Sequence, residues 1–285
     1  MLVTGAAGQL GRELLAAFAG AGWRVTEPDR TRLDVTDRGA VFGAVTTLRP
    51  DAVVNAAAWT AVDDCEADPD RAWRTNALAV RHLAEACDRS GAHLCQISTD
   101  YVFDGEKEGA YVEWDEPAPR SVYGRSKLGG EREAGEQATV VRTSWLCGAH
   151  GANAARTVLA LAADPERKLA FVDDQRGCPT IAADLAQAVV ALVTDRRRGA
   201  HHVTNAGAVT WYGFAREVLC LAGHDPDRVR PITSAELAPP RPAPRPVNSV
   251  LDNAALRLAG LAPLRHHTDA LAELITQLTG QREHR

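Results

Sequence analysis

The sequence predicts an α/β fold: a doubly wound parallel sheet with a smaller C-terminal region. Three observations predict it. Short apolar runs alternate with helical periodicity through the first half of the chain, as strands joined by crossover helices do. A glycine-rich turn separates the first strand from the first helix. Small or hydroxyl-bearing residues follow directly after later strands, at the edge where parallel sheets bind ligands.

Met1-Leu2-Val3-Thr4 reads as the first strand, so short that its natural start is expected a few residues upstream. Gly5-Ala6-Ala7-Gly8-Gln9-Leu10-Gly11 follows, then an apolar-periodic helix through Phe18. The glycines are spaced G-x-x-G-x-x-G rather than G-x-G-x-x-G, but the physics is shared. Bare backbone lets a pyrophosphate approach a helix N-terminus, where free N–H groups and the dipole favour anions. The sheet is therefore expected to be Rossmann-type.

Trp23-Arg24-Val25-Thr26 reads as the second strand, ending in Glu27-Pro28-Asp29-Arg30. An acidic group there would bond an adenine ribose, and an arginine would accept a 2′-phosphate. Asp29 and Arg30 offer both, so NADH and NADPH both stay open. Asp34-Val35-Thr36-Asp37 opens a helix with Thr36 or Asp37 as N-cap. Asp51 to Ala58 is a third strand whose small end residues leave room for a flat cofactor. A helix from Pro69 to Ser90 carries Asn76. The strand His93 to Ile97 runs straight into the hydroxyls Ser98 and Thr99, and a further strand spans Thr139 to Ser144.

Beyond Trp145 the rhythm loosens. Helices are expected at 153–163, 182–195, 212–222 and 267–279, with short strands at Leu169–Val172 and His201–Thr204. The run Pro239 to Pro246 is neither helix nor central strand. It reads as an ordered extended loop, since helical sequence resumes at Asn253. Residues 1–145 are expected to form a dinucleotide-binding domain, with 178–205 packing back onto it. Residues 146–285 are expected to be mainly a substrate-binding region.

Composition narrows the function classes. Net charge is −5, with no basic signature for nucleic acid. Arg196-Arg197-Arg198 reads as a solvated helix end. No segment approaches a membrane span, and the N-terminus lacks a signal-peptide layout. Six cysteines form no Cys-x-x-Cys pair, which fits a reduced, cytoplasmic compartment. The doublets His201-His202 and His266-His267 read as structural, because adjacent residues do not share a helix face.

The chemistry centres on Ser121-Val122-Tyr123-Gly124-Arg125-Ser126-Lys127. On a helix, Tyr123 and Lys127 leave one face about one turn apart. A phenol beside an ammonium suits proton donation, with the positive charge expected to lower the phenol pKa. The bland alternative is an amphipathic helix with tyrosine half-buried and lysine solvated. The chain has only three lysines and four tyrosines, so chance rarely sets one of each at this spacing.

These motifs together resemble the extended short-chain dehydrogenase/reductases, and within them the dTDP-4-dehydrorhamnose reductase family. The carrying runs are Thr4 to Gly11, Asn55 to Asp63, Ser98 to Gly105, Tyr123 to Lys127 and Arg142 to Trp145. Gly177-Cys178-Pro179-Thr180 and Arg245-Pro246-Val247-Asn248-Ser249 extend the likeness into the C-terminal third. The resemblance implies an NADPH- or NADH-dependent reductase of the C4 ketone of a dTDP-linked sugar, dTDP-4-dehydro-L-rhamnose. It implies that Tyr123 donates the proton, Lys127 holds the nicotinamide ribose and eases that donation, and Thr99 orients the carbonyl. It places the cofactor against Gly5, Gly8, Gln9, Leu10, Gly11, the region of Asp29, Arg30, Asp34 and Val35, then Ala58, Trp59, Thr60, Ile97, Tyr123 and Lys127. It places the sugar against Thr99, Asp100 and Trp145, although Trp145 also reads as a core residue.

Some positions depart from the pattern. Trp59 stands where Tyr or His is commoner and Cys65 where Ala is usual. Relatives that form magnesium-linked dimers use acidic side chains. Glu13 matches one, but Ala183 stands where another is needed, and alanine cannot ligate a hard cation. No magnesium dimer is expected, and the chain is expected to be a monomer or weak homodimer. Two rival readings stay open. One is a 4-ketoreductase of another dTDP-4-keto-6-deoxysugar, from a dihydrostreptose or antibiotic pathway. The other is a non-catalytic, cofactor-binding regulatory subunit.

Overall fold

A computed structural model describes residues 1–27 and 33–283. The first half runs β1 (Leu2–Thr4), α1 (Gln9–Gly20), α2 (Arg38–Leu48), β2 (Ala52–Asn55), α3 (Val62–Ala67), α4 (Pro69–Trp73), α5 (Ala79–Ser90) and β3 (His93–Thr99). It continues through α6 (Val122–Ala134) and β4 (Thr139–Thr143). A five-stranded sheet has the order β1-β2-β3-β4-β9, where β9 is Gly199–His202, and every pairing is parallel.

Successive strand residues point to opposite faces, and the two faces build two cores. Val3, Val54 and Val141 pack with Leu10, Leu14 and Phe18 of α1 and with Leu185, Val189 and Leu192 of α8 (Ala182–Thr194). Their neighbours Leu2, Val53 and Val140 pack on the other face with Val41 and Val45 of α2 and Val80 and Leu83 of α5. The sheet is thus doubly wound, the class that the alternation predicts.

The C-terminal half adds β5 (Leu146–Cys147), α7 (Ala154–Ala162), β6 (Leu169–Val172), β7 (Arg176–Gly177) and β8 (Thr180–Ile181) before α8 and β9. Then come β10 (Val209–Thr210), α9 (Trp211–Leu221), β11 (Val229–Ile232), α10 (Ala254–Leu258) and α11 (His267–Glu283). Pairs β6–β11, β5–β8 and β7–β10 form three small sheets. A separate core gathers Val158 and Leu159 of α7, Phe214 and Leu219 of α9, and Leu271 and Ile275 of α11.

Local chemistry fixes the elements that carry the site. Gly5 turns the chain out of β1 with φ +68, and a Cβ there would lie 2.6 Å from the Ala56 and Ala57 backbone. Ser121 caps α6 by accepting from the Gly124 N–H at 3.0 Å. Asp37, one of the two expected caps, accepts from the Ala40 N–H at 3.1 Å and starts α2. The Pro-rich run forms no helix or strand and is tied down, with the Ala243 N–H donating to Asp63 Oδ1 at 3.1 Å.

Two expectations change. The segment 23–26 gives a single bridge, Leu2 to Thr26, rather than a strand. Its backbone still runs beside β1, with the Thr26 N–H donating to the Met1 carbonyl at 2.9 Å and the Val3 N–H to the Thr26 carbonyl at 3.1 Å, while Trp23 packs edge-on against Phe18, 5.9 Å between centroids. The helix expected over Pro69–Ser90 is interrupted by a π-turn at Arg74–Leu78. Such widened turns occur mostly at functional sites, and this one aims Asn76 inward.

The π-turn depends on close approach by α6, because a Cβ on Gly130 would lie 2.1 Å from the Asn76 carbonyl oxygen. Gly130→Ala should therefore cost about 1–3 kcal/mol by overpacking against backbone. Gly20→Ala, at a helical position with nothing within 4 Å of the added carbon, should be neutral or stabilising by up to about 1 kcal/mol. Urea unfolding of the two variants checks this.

Candidate active site

The C-terminal ends of the parallel strands open into a cleft of about 460 Å3. The glycine turn forms one wall, through Gly5, Gly8, Gln9, Leu10 and Gly11. Ala58 and Thr60 beyond β2, and Ile97, Thr99 and Asp100 at the end of β3, form the floor. Tyr123 and Lys127 enter from α6, and Trp145 closes the far side. An adjoining cavity of about 290 Å3 shares Gly5, Gly8 and Ala58 and continues to Asp34, Val35 and Trp59. The expected site residues Asp29 and Arg30 lie outside the described residues.

The glycine turn suits a pyrophosphate. A Cβ on Gly11 would lie 2.2 Å from the Gly5 carbonyl oxygen, so the backbone is packed to its limit. Gly8 precedes α1 without a side-chain cap, and the first turn holds no acidic residue. Those N–H groups stay available to an anion.

Tyr123 and Lys127 are both buried, at 8% and 4% exposure, which sets aside the solvated-lysine alternative. Lys127 Nζ donates to the Ile97 carbonyl at 2.6 Å. Burial lowers its pKa to about 8 against the pull of Glu131, one helical turn further on. Burial raises the Tyr123 phenol above its ordinary value, while a hydrogen bond with Thr99 acts the other way. This corrects the expectation that the ammonium lowers the phenol pKa. Loss of water dominates, the nearby Asp100 charge adds to it, and Lys127 bonds backbone rather than the phenol.

Thr99 Oγ1 donates to Asp100 Oδ1 at 2.9 Å, and the Tyr101 N–H donates to Thr99 Oγ1 at 3.3 Å. Burial raises Asp100 to about 6, opposed by the nearby Ser249 and Thr99 hydroxyls. Asp100 Oδ2 and Thr143 Oγ1 are buried with no hydrogen-bond partner, and both residues line the cleft.

Trp145 takes φ 44, an uncommon left-handed conformation for a large residue. Its ring stacks on Trp211 with centroids 3.5 Å apart and planes 5° apart. Trp145 thus lines the cleft and is also packed, half-buried, against the C-terminal core. Trp211 and Tyr101 lead from the cleft into a third cavity of about 440 Å3, lined by Val158, Leu161, Phe171 and Val172 with Arg241 and Arg245. Arg245 holds Asp63 with two bonds, at 2.8 and 2.7 Å. Cys65 is fully buried and packs against Tyr123 beneath the cleft.

Sequence reasoning did not assign Asn76, Trp211 or the apolar cavity beyond it. Asn76 Oδ1 accepts from the Trp59 N–H at 2.8 Å, and its Nδ2 donates to the Trp59 carbonyl and to Ser126 Oγ, each at 3.0 Å. The signal was there: a lone amide on the apolar face of a helix. The histidine doublets are engaged structurally. His202 Nδ1 faces the Tyr111 and Asp252 carbonyls at 3.2 and 3.1 Å, and His267 pairs with Glu217 at 2.9 Å. Among the described residues no cluster of His, Cys, Asp or Glu is arranged to hold a metal, and no helix is long and apolar enough to cross a membrane.

The family model described as RmlD substrate binding domain matches residues 1–279. A dTDP-4-dehydrorhamnose reductase of Streptomyces griseus is 47% identical over 98% of this chain and 94% of its own. A dTDP-4-keto-6-deoxy-D-glucose reductase of Streptomyces niveus is 43% identical over 95% of both chains. A crystal structure of dTDP-4-dehydrorhamnose reductase from Bacillus anthracis, in complex with NADP, superposes with a TM-score of 0.92 at 34% identity, covering 97% of this chain and 98% of that one.

Asn76→Ala leaves the Trp59 N–H and carbonyl without their partner. It should lower unfolding stability by about 1–3 kcal/mol, the cost of unpaired buried polar groups. Asn76→Asp keeps the acceptor for the Trp59 N–H but sets a carboxylate oxygen against the Trp59 carbonyl in a buried site, so it should lose at least as much. Chemical denaturation of both variants measures this.

Proposed function

The chain belongs to the dTDP-4-dehydrorhamnose reductase family within the extended short-chain dehydrogenase/reductases, and on that basis we propose that it reduces the C4 ketone of dTDP-4-dehydro-L-rhamnose to dTDP-L-rhamnose. It is an NAD(P)H-dependent oxidoreductase, a 4-ketoreductase of dTDP-4-keto-6-deoxysugars. The observation that carries the reduction chemistry is the meeting of Tyr123, Thr99 and Lys127 opposite a glycine turn in one cleft; the choice of the rhamnose precursor rests on the 47% identical relative.

A reduced nicotinamide bound in this cleft would supply hydride to the carbonyl carbon. The protein's part is to hold the ketone and manage the proton. Tyr123 gives its phenolic proton to the carbonyl oxygen as negative charge develops there. Thr99 gives its hydroxyl proton to Asp100, so to steady that oxygen it would turn the O–H from Asp100 to the ketone, a donor placed where charge develops. Lys127 would place an ammonium near the phenolate that remains and would hold the nicotinamide ribose of a bound cofactor. Burial of Tyr123 keeps water from delivering the proton in its place.

In this reading residues 1–145 hold the dinucleotide, and residues 146–285 mainly hold the nucleotide sugar. The cavity beyond Trp211 supports a nucleotide-linked substrate, with an apolar slot for a base and arginines for a diphosphate. We assign NADPH ahead of NADH because the relative from Bacillus anthracis is in complex with NADP. A second reading has specific support. Trp59 and Cys65 depart from the family pattern, and relatives of similar identity reduce other dTDP-4-ketosugars by name. A panel of dTDP-4-ketosugars, followed by loss of reduced-nicotinamide absorbance, separates the two. Preference for the rhamnose precursor supports the first reading, and preference for another ketosugar overturns it.

Tyr123→Phe should lower kcat at least about 100-fold with unfolding unchanged, and near-normal turnover would remove Tyr123 as the acid. The pH profile tests Lys127. Its pKa lies below the ordinary lysine value, at about 8, so the ammonium persists below that pH and is lost above it. The rate of the wild type should fall as pH rises through about 8, and a profile flat across that value would show that the charge is not used.

A further inference from the structure

One wall of the adenosine-end cavity carries a cation that the glycine motif does not account for. Arg71, on α4, lays its guanidinium over the Trp59 ring, 4.2 Å from the centroid, and both residues line that cavity. A planar guanidinium stacks well on an indole and keeps its in-plane donors free for an oxyanion. Trp59 is a firm support, because Asn76 holds its N–H and its carbonyl at 2.8 and 3.0 Å. The Arg71 side chain makes no hydrogen bond or ion pair among the described residues; its backbone N–H donates to Asp68 Oδ1 at 3.0 Å. The glycine turn lines the same cavity as far as Gly8, the residue before α1. Its acidic side chain, Asp34, accepts from the Thr36 N–H and hydroxyl at 2.9 and 2.8 Å, and suits a sugar hydroxyl rather than a phosphate.

We propose that Arg71, held flat by Trp59, binds the phosphate oxygens of the adenosine half of the dinucleotide. The inference rests on the reading of this cleft as a dinucleotide site. Two phosphates share that chemistry, the pyrophosphate common to both cofactors and the 2′-phosphate of NADPH alone. Stacking on Trp59 fixes the position of the guanidinium, so charge is presented without the entropy cost of ordering a free arginine side chain.

Equilibrium titration of the full chain with NADPH and with NADH, read by reduced-nicotinamide fluorescence, tests it. Arg71→Met keeps the aliphatic stem and removes the charge. It should raise Kd about tenfold, the usual scale for a lost charge-assisted bond, and flatten the salt dependence. An equal loss for both cofactors supports pyrophosphate as the partner, and a loss confined to NADPH supports the 2′-phosphate. Trp59→Leu should raise Kd similarly, and the double variant should lose little more, because one change already removes the stacked pair. Binding of both cofactors by Arg71→Met within about twofold of wild type would overturn the inference while leaving the functional reading intact. Failure of the wild type to bind either dinucleotide would overturn both.

Discussion

The site depends on burying one ammonium at the C-terminal edge of a parallel sheet. Removing a lysine charge from water is costly unless hydrogen bonds and opposite charge compensate. Here the Ile97 carbonyl takes Lys127 Nζ at 2.6 Å and also accepts from Gln96 Nε2 at 2.7 Å. Gln96 Oε1 accepts from Asn55 Nδ2 at 2.7 Å, and Asn55 Oδ1 accepts from Thr4 Oγ1 at 2.5 Å. Thr4, Asn55 and Gln96 are direct register partners across β1, β2 and β3. The strand ends that form the cleft floor are therefore locked to one another by the same polar row that reaches the lysine. Behind it, Glu131 is buried against Arg142 at 2.7 Å and accepts from Ser98 Oγ at 2.5 Å. Its charge favours the ammonium, so Lys127 falls only to about 8 rather than losing its proton at neutral pH.

The cleft needs both halves of the chain. The glycine turn is joined to the C-terminal half through Gln9, whose Nε2 donates to the Ala152 carbonyl at 2.9 Å and whose Oε1 accepts from Asn153 Nδ2 at 3.0 Å. On the opposite side, Asp63 at the start of α3 draws in the Pro-rich loop through Arg245. Arginine suits that task because its fork meets a carboxylate with two parallel bonds. Proline stiffens the rest of the loop, so ordering it costs less entropy than ordering a flexible strap. The Trp145–Trp211 stack stands where the cleft meets the apolar cavity and gives a flat wall to whatever spans the two.

Much of this was legible locally. The parallel sheet followed from alternating periodicity, and the Tyr123–Lys127 face followed from spacing on a helix. What sequence hid was tertiary. Residues 23–26 have strand composition, but only Thr26 makes a ladder bridge to β1, donating to the Met1 carbonyl and accepting from the Val3 N–H. The π-turn at Arg74–Leu78 has no composition signal; it exists because glycines on α6 let another backbone come close. Arg71 and Trp59 lie twelve residues apart and meet only once the turn between them is folded. The pKa direction at Tyr123 was misjudged for the same reason. A neighbouring charge can be read from spacing, but the extent of desolvation cannot.

That direction bears on how the proton moves. A phenol lowered toward neutrality would release its proton to solvent or to any bound base. A phenol raised by burial holds it until a stronger base arrives. A ketone oxygen is a weak base, and the alkoxide formed when hydride reaches the carbon is a very strong one. As the proposed acid, Tyr123 would therefore have little tendency to protonate the resting substrate and a large one to protonate the reacting one. In the same proposal the buried ammonium of Lys127 would act at that stage, since a positive charge stabilises a phenolate more than a phenol. In this arrangement low dielectric does two things with one set of residues: it keeps the acid loaded before reaction, and it strengthens the charge interaction that follows proton transfer.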